Sequence, residues 1–359
     1  VKSRIKSCLK QLESFGCDSF LVSCPVNIEY LTGLSQQDGY LLIGLKDRPT
    51  YFTSFLYKKA AEKAKFLKVV TSSISGSGGK NNIFALIAEE IKGLNYKKIG
   101  FEAKKLSFLE YKTLAAFFQP QDRRFIGLGD SIEKLRMVKD KQEIELIKKS
   151  VEVSQEAFRF VSQIFDPEMS EKTLAIEVEK FLRLRADNQI AFPPIVASGK
   201  NTVFPHHCPQ DSKIGRNFFL IDLGSRYYGY CADLTRVFFE SKMPLLFKRI
   251  YETLKKAQDL ALKKVKDGTE AGEVDKAARE FIEKKGWGKY FGHGLGHGIG
   301  LSVHEPPFLR PQDSQILKQG MVLTLEPAIY LESKFGLRIE DMVLVTQGKG
   351  EILSGDIHR

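Results

Sequence analysis

The chain has 359 residues, 43% of them apolar and 28% charged, enough apolar material for a real core and enough length for about two domains, which excludes a mainly disordered chain. No apolar run approaches the ~18–20 residues of a membrane span, and the basic start VKSRIKSCLKQLESFG leads into an amphipathic pattern rather than the apolar centre of a secretion signal. The formal charge is +11, with 21 basic and 13 acidic residues in 1–135; these cations are scattered, without an Arg-rich arm, zinc finger or aromatic RNP-like strand, so they read as a solvated face and no nucleic-acid partner is expected. In chain order, residues 5–15 have apolar positions at helical spacing and DSFLV reads as a short strand. Strands follow at 40–43 and 51–52 around the KDRP turn, then helix 55–64, strand 66–70, helix 82–91, strand 98–101 and helix 106–118. This alternation predicts a small α/β domain with a partly parallel sheet. The stretch SSISGSGGK lacks the GxxxxGK[ST] frame and reads as a surface loop, not a phosphate loop.

The pattern breaks between 120 and 135, at QPQDRR and GLGDS, which divides the chain into domains 1–125 and 126–359. Helical spacing then runs over 131–165, interrupted near Asp140, and over 171–185 after the Asp166-Pro167 stop. Residues 192–209 form a loop rich in proline and glycine; 218–223 and 228–239 read as the two strands of a hairpin. Helices at 244–266 and 270–285 precede strands at 321–325 and 337–346. Helix-helix-strand-strand thus occurs twice, a coarse duplication that predicts an α+β domain with helices on one face of a mostly antiparallel sheet. Five cysteines, an odd number with no CxxC spacing, argue for a reducing cytoplasm and against a disulfide framework or a cysteine-ligated zinc.

Four acids stand in apolar strand contexts, where a carboxylate is costly unless paired or bound to metal. They are Asp222 in FFLIDLGS, Asp233 in CADLTRVFF, Glu326 after MVLTL, and Glu340 in GLRIEDMVLV; His297 joins them from FGHGLGHGIG. Carboxylates and an imidazole suit hard to borderline divalent ions such as Mn, Co, Zn or Fe. Two ions ~3.5–4 Å apart need about five protein ligands, because carboxylates bridge. The glycines beside His293 and His297 predict a tightly bent loop with room for ions. Residue chemistry alone therefore implies a dinuclear metallohydrolase.

The five residues follow one another with 10, 63, 28 and 13 positions between them, in the words LIDLG, DLTRVFF, HGLGHGIGLSVHE, LTLEPAIY and RIEDMVLVT. This order resembles the metal-ligand series of the pita-bread metallopeptidases, which include methionine aminopeptidases, aminopeptidase P and prolidases. The likeness is strong over 185–350. SGKNTVFPHHCP, together with the α/β domain in front, is similar to the proline-specific branch of aminopeptidase P and prolidase. The resemblance implies a creatinase-like α/β domain followed by an α+β pita-bread catalytic domain, and a homodimer. It implies two divalent ions per subunit, manganese foremost, held by Asp222, Asp233, His297, Glu326 and Glu340, with Asp233 and Glu340 bridging. It further implies that His206 and His293 face substrate and that His304 contacts the scissile carbonyl. Arg338 would lie near the substrate end or the ligands, with Tyr330 behind them and Glu326 carrying a proton to the leaving nitrogen. His207 is extra to the branch pattern.

The implied activity is that of an Xaa-Pro aminopeptidase, removing the first residue from small peptides with proline second. An Xaa-Pro dipeptidase is the alternative, and it needs a clamp for the carboxylate that follows proline. A catalytically inactive binding protein on the same fold should lack a ligand, and this sequence lacks none.

Overall fold

The α/β alternation of the first third closes into one mixed sheet. In chain order come α1 (Lys2–Ser14), β1 (Ser19–Val22), α2 (Pro25–Thr32), β2 (Tyr40–Gly44), β3 (Thr50–Ser54), α3 (Lys58–Ala61), β4 (Lys68–Ser72), α4 (Ile83–Gly93), β5 (Lys98–Glu102), α5 (Phe108–Ala115), β6 (Arg124–Leu128) and α6 (Ser131–Met137). The sheet order is β4-β3-β2-β1-β5-β6. β1/β2, with α2 between them in the chain, and β2/β3 pair antiparallel, whereas β1/β5 and the helix-connected pairs β3/β4 and β5/β6 are parallel. Leu21, Leu42, Phe52, Ile87, Ile91 and Ile99 fill the space between sheet and helices. The Asn82 side chain caps α4, and a Ser107–Glu110 capping box starts α5.

The structure, a computed structural model, describes residues 2–35, 38–45, 47–72, 82–119, 122–216, 218–239 and 243–355. The glycine-rich stretch 73–81, expected to be a surface loop, lies outside them. Contacts divide the chain into Val1–Arg136 and Met137–Arg359, against the sequence boundary at 125/126, because the segment read as a pattern break contains the edge strand β6. Helix α2 went unread: it is a short helix with Asn27, Ile28, Tyr30, Leu31 and Thr32 all buried, so no polar face marks it. The helix expected over 55–64 is a 3₁₀ turn at Phe55–Tyr57 followed by α3. Among the described residues no helix is long and apolar enough to cross a membrane.

The second unit continues with α7 (Lys141–Ile164), α8 (Glu171–Arg185), β7 (Ile195–Ser198), β8 (Phe218–Leu223), β9 (Arg226–Tyr227), β10 (Tyr230–Cys231), β11 (Leu234–Phe239), α9 (Leu245–Leu262), α10 (Ala271–Lys284), β12 (Gly296–Gly298), β13 (Glu305–Leu309), β14 (Val322–Leu325), β15 (Ala328–Leu331), β16 (Phe335–Arg338), β17 (Asp341–Val345) and β18 (Gly350–Ile352). Asp140 and Glu143 form the capping box that starts α7, which explains the interruption in the helical spacing. All strand pairs are antiparallel, but they do not make one sheet. They form a β11-β8-β7 sheet, a β13-β12-β14-β17-β18 sheet and the ribbons β9/β10 and β15/β16. Helix α9 buries Phe247, Ile250, Leu254, Ala257 and Ala261, spaced at helical period, in one core with Leu323, Leu325 and Val343 of the five-stranded sheet. Phe247 also packs its ring 4.6 Å from Phe218, 4.4 Å from Phe239 and 5.4 Å from Phe335. Truncating such a buried phenylalanine to alanine costs ~3–5 kcal/mol.

The duplication positions the acids. In the first repeat β8 carries Asp222 near its end and β11 begins just after Asp233, with Leu223 opposite Leu234. In the second, Glu326 follows the last residue of β14 and Glu340 precedes the first of β17, with Leu325 opposite Asp341. Each hairpin therefore brings one acid from its outgoing strand beside one from its return strand. The two ends are then tied together. Thr235 Oγ1 donates to Glu340 Oε2 at 2.8 Å, Glu340 N–H donates to the Thr235 carbonyl at 3.3 Å, and Arg236 donates to the Glu340 carbonyl and to Asp341. The expected strand 337–346 is split at Glu340 into β16 and β17, and the split places the carboxylate.

Candidate metal centre and active site

His297 reaches the acids from a strand, not from the loop its glycines suggested. β12 lies between β13 and β14, and the glycines on both sides of His297 are demanded by the closeness of those neighbours. A Cβ on Gly296 would fall 2.0 Å from the Thr324 carbonyl oxygen, and one on Gly298 would fall 2.4 Å from that of Pro306. His297 Nδ1–H donates to the Gly298 carbonyl at 3.1 Å, and Nε2 faces the acids, 3.3 Å from Glu326 Oε1 and 3.6 Å from Asp233 Oδ2; protonated it donates to Glu326, and deprotonated it offers a lone pair to a cation.

Potential ligand atoms gather in three overlapping groups, each within 4.8 Å: Asp222 with Asp233 and Glu340; His297 with Glu326 and Glu340; and Asp233 with His297 and His304. All five residues singled out as ligands thus meet, and His304 stands at their edge, its ring 4.4 Å from that of His297. His304 is adjacent to Glu305, which is held by a buried ion pair with Lys139 at 2.8 Å.

The cluster is charged beyond what the chain itself compensates. Burial, then repulsion from Glu340, Asp222 and Glu326, pushes Asp233 well above the usual carboxylate range, and burial with Glu326 and Asp222 does the same to Glu340. Asp222 is raised by burial and by Glu326, though Arg338 opposes this. Glu326 goes the other way: burial raises it, but the His297 hydrogen bond and the His297 and Arg338 charges leave it lowered. Asp222 Oδ1 is buried without a donor among the described residues. An all-oxygen-and-imidazole donor set with surplus negative charge and an orphaned acceptor fits divalent cations of the hard to borderline kind.

The remaining sequence candidates surround this cluster. A cavity of about 390 Å³ is lined by His206, His293, His304, Tyr330, Arg310 and Arg338 as well as the five candidate ligands. A second, of about 340 Å³ and mostly apolar through Phe192, Pro193, Pro194, Ile195 and Val303, shares His206, Asp222, Asp233 and His304. His293 Nδ1 donates to the Gly294 carbonyl at 2.7 Å, while its Nε2 is buried and unpartnered among the described residues; burial pushes its pKa down. The backbone around it is held from α10, where Arg279 grips Asp275 and donates to the Phe291 and His293 carbonyls at 3.1 and 2.7 Å. Arg338 is buried among acceptors: Nη2 donates to Asp222 Oδ2 at 2.6 Å, Nη1 to Tyr330 Oη at 2.8 Å and the Pro205 carbonyl at 3.3 Å, and Nε to Thr235 Oγ1 at 3.1 Å. His206 is exposed at the cavity wall, whereas its neighbour His207 is buried and turned away to Glu171.

Sequence reasoning missed Thr235, Glu171, Arg279 and Lys139. Only Asp275 and Arg279 left a signal, an acid and a base four residues apart on a helix.

Comparison with known proteins agrees with this geometry. The description "Metallopeptidase family M24" matches residues 145–347, and "Creatinase/Prolidase N-terminal domain" matches residues 4–138. A protein named Xaa-Pro dipeptidase from Pyrococcus furiosus is 33% identical, covering 99% of this chain and 98% of its own. Among solved structures, the Xaa-Pro dipeptidase from Bacillus anthracis superposes with a TM-score of 0.92 at 31% identity, over 100% of this chain and 98% of that one. The X-Pro aminopeptidase from Thermotoga maritima gives 0.86 at 34% identity, over 96% and 97%. With half the chain matched by the catalytic domain and its ligand-type residues gathered in one cavity, this protein belongs to metallopeptidase family M24, a creatinase-type α/β domain followed by a pita-bread catalytic domain.

Proposed function

We propose that the chain is an Xaa-Pro aminopeptidase, which hydrolyses the bond between an N-terminal residue and a following proline in small peptides and works with two divalent ions, manganese foremost. The observation that carries the reading is the convergence of Asp222, Asp233, His297, Glu326 and Glu340 on the floor of a cavity walled by His206, His293 and His304. Similarity to enzymes named for both Xaa-Pro dipeptidase and X-Pro aminopeptidase activity supports proline specificity in general.

Bound to these ligands, divalent ions would supply a water acidified to near neutral pH and a Lewis acid for the scissile carbonyl. The protein's own groups do the rest. His304, whose pKa burial pushes down, presents an N–H to the carbonyl oxygen as charge grows there. Glu326, ionised beside His297, takes a proton from the attacking water and passes it to the leaving proline nitrogen. Asp222 and Asp233 line both cavities, where the free α-amine of a peptide would be seated, which confines cleavage to the first residue.

Arg338 speaks for the aminopeptidase. Each of its three nitrogens already donates within the protein, so it is not available as a fork for a dipeptide carboxylate. Arg310 speaks for the dipeptidase reading: it lines the same cavity with a largely exposed side chain. Hydrolysis of Ala-Pro and Ala-Pro-Ala by the manganese-loaded protein decides. Cleavage of neither, with peptides lacking proline cut instead, overturns both readings.

A further inference from the structure

The loop between β7 and β8 carries two adjacent histidines, and the fold gives them opposite directions. His206 stands exposed at the wall of both cavities. His207 is buried, and its Nε2 donates to Glu171 Oε2 at 2.7 Å. Glu171 is the first residue of α8 and fully buried. Its Oε1 accepts from the Ser198 backbone N–H and hydroxyl, each at 2.7 Å; its Oε2 accepts from Gln210 N–H at 3.2 Å; Asn201 Nδ2 reaches both oxygens, at 3.0 and 3.1 Å. Every one of these partners is a donor, which only an ionised carboxylate can satisfy at both oxygens. They come from the start, the middle and the end of residues 198–210. Yet Glu171 lines neither cavity.

The other side of the loop is docked as well. Gly336 N–H donates to Thr202 Oγ1 at 2.9 Å, and Arg338 Nη1 donates to the Pro205 carbonyl at 3.3 Å. The loop is therefore pinned between one buried anion on α8 and the β16 strand beside the carboxylates, and His206 projects from the pinned segment.

We infer that Glu171 is a positioning residue for the cleavage site: it seats the 198–210 loop, holds His207 inward as a tether, and thereby presents His206 to the substrate. This rests on the proposed peptidase reading in one respect, that His206 touches substrate; the seating of the loop does not depend on it.

The test uses the manganese-loaded full chain. Glu171→Gln keeps the size but turns one acceptor into an NH2 that faces donors. His207→Leu removes a donor, and His207→Gln keeps an N–H at a similar reach. Glu171→Gln and His207→Leu are expected to lower kcat/KM by about 10- to 100-fold, the cost of a misplaced contact group, while His207→Gln recovers most of the loss and bound metal per subunit stays at the wild-type level. Combined with His206→Ala, Glu171→Gln should add nothing to the loss from His206→Ala alone. Additive losses, or a His207→Gln variant as poor as His207→Leu, overturn the proposal. Should Glu171→Gln fail to fold, the His207 pair carries the same cycle. Amide exchange gives a reading independent of cleavage: the Ser198 and Gln210 amides should lose protection in His207→Leu and keep it in His207→Gln. Unchanged protection in both would defeat the inference even if no Xaa-Pro peptide were cleaved.

Discussion

Arg338 Nη2 meets Asp222 Oδ2 at 2.6 Å, with both side chains buried. The guanidinium neutralises one of four crowded carboxylates, and its two other edges are fixed by Tyr330 and Thr235, so the Asp222 carboxylate has one orientation before any ion arrives. Thr235 passes this order on, because the hydroxyl that accepts from Arg338 also donates to Glu340. A single row of contacts thus links an acid of the first hairpin to an acid of the second.

Removing one partner of such a buried pair costs ~3–5 kcal/mol, because a charge is left uncompensated. Arg338→Met should therefore lower the melting temperature of the metal-free protein sharply. Arg338→Lys keeps the charge but not the fork, and should lose less. Both should weaken metal binding by about 10- to 100-fold, as loss of a group that orients a ligand does. Thermal unfolding and a metal titration check this; a wild-type melting temperature for Arg338→Met would rule out the argument.

The raised pKa values of Asp233 and Glu340, caused by burial and by their acidic neighbours, carry a sign. A carboxyl whose folded pKa exceeds its unfolded one stabilises the fold below the unfolded pKa, and that contribution disappears as pH rises through the folded pKa. Metal-free protein should therefore bear a charge penalty at pH 8 that fades as the pH falls toward 4. Asp233→Asn removes the charge at constant shape. Metal-free Asp233→Asn should melt higher than metal-free wild type at pH 8, with the gap closing in acid, and should gain less from added manganese. Differential scanning fluorimetry across pH, with and without the ion, measures it; a variant that melts lower at pH 8 contradicts it.

The acids were legible in the sequence because they break a rule that strands otherwise keep: Asp222 and Glu340 sit in apolar runs where only a strong compensating interaction tolerates them. Their partners were not, because those obey local rules. Glu171 reads as an ordinary acid in the first turn of an amphipathic helix, and Thr235 as a β-branched residue in a strand. The inward turn of His207 is a tertiary fact that adjacency to His206 cannot reveal. The glycines beside His297 carried the right residues and the wrong reason, since their need comes from Thr324 and Pro306, distant in sequence. Two copies of helix-helix-strand-strand gave the repeat, but the splitting of its strands into separate sheets depends on where Glu340 interrupts β16 and β17.

Cysteine chemistry follows burial. Cys8, Cys17, Cys24 and Cys231 are buried, and burial pushes the Cys8 thiol up to about 12; Cys208 is exposed and lines the apolar cavity. The native protein should therefore release about one equivalent of chromophore from a disulfide reagent under conditions where exposed thiols ionise, and the Cys208→Ser variant almost none. Denaturant should expose all five cysteines. Rapid labelling of two or more thiols in the native chain would show that the buried set is not as enclosed as the structure has it.

The choice between aminopeptidase and dipeptidase turns on Arg310. Its Nε donates to Asp313 at 3.2 Å, and most of the side chain is open to solvent at the rim of the cavity. An arginine so placed can meet the carboxylate that ends a dipeptide, and a longer peptide presents no charge at that point. A charge-assisted contact of this kind contributes ~1.5–3 kcal/mol when well made, and less where water screens it. For an aminopeptidase, Ala-Pro-Ala should be cleaved with kcat/KM at least equal to that for Ala-Pro under the same manganese loading. Arg310→Met should then lower Ala-Pro cleavage by no more than about tenfold, ~1.4 kcal/mol, and leave Ala-Pro-Ala within about twofold, because only the shorter substrate uses the contact. If Ala-Pro is instead favoured by more than tenfold and Arg310→Met abolishes that preference, the aminopeptidase reading gives way to the dipeptidase, with Arg310 as its clamp. A strong preference for Ala-Pro that survives Arg310→Met also removes the aminopeptidase reading, and moves the search for the clamp to another cation.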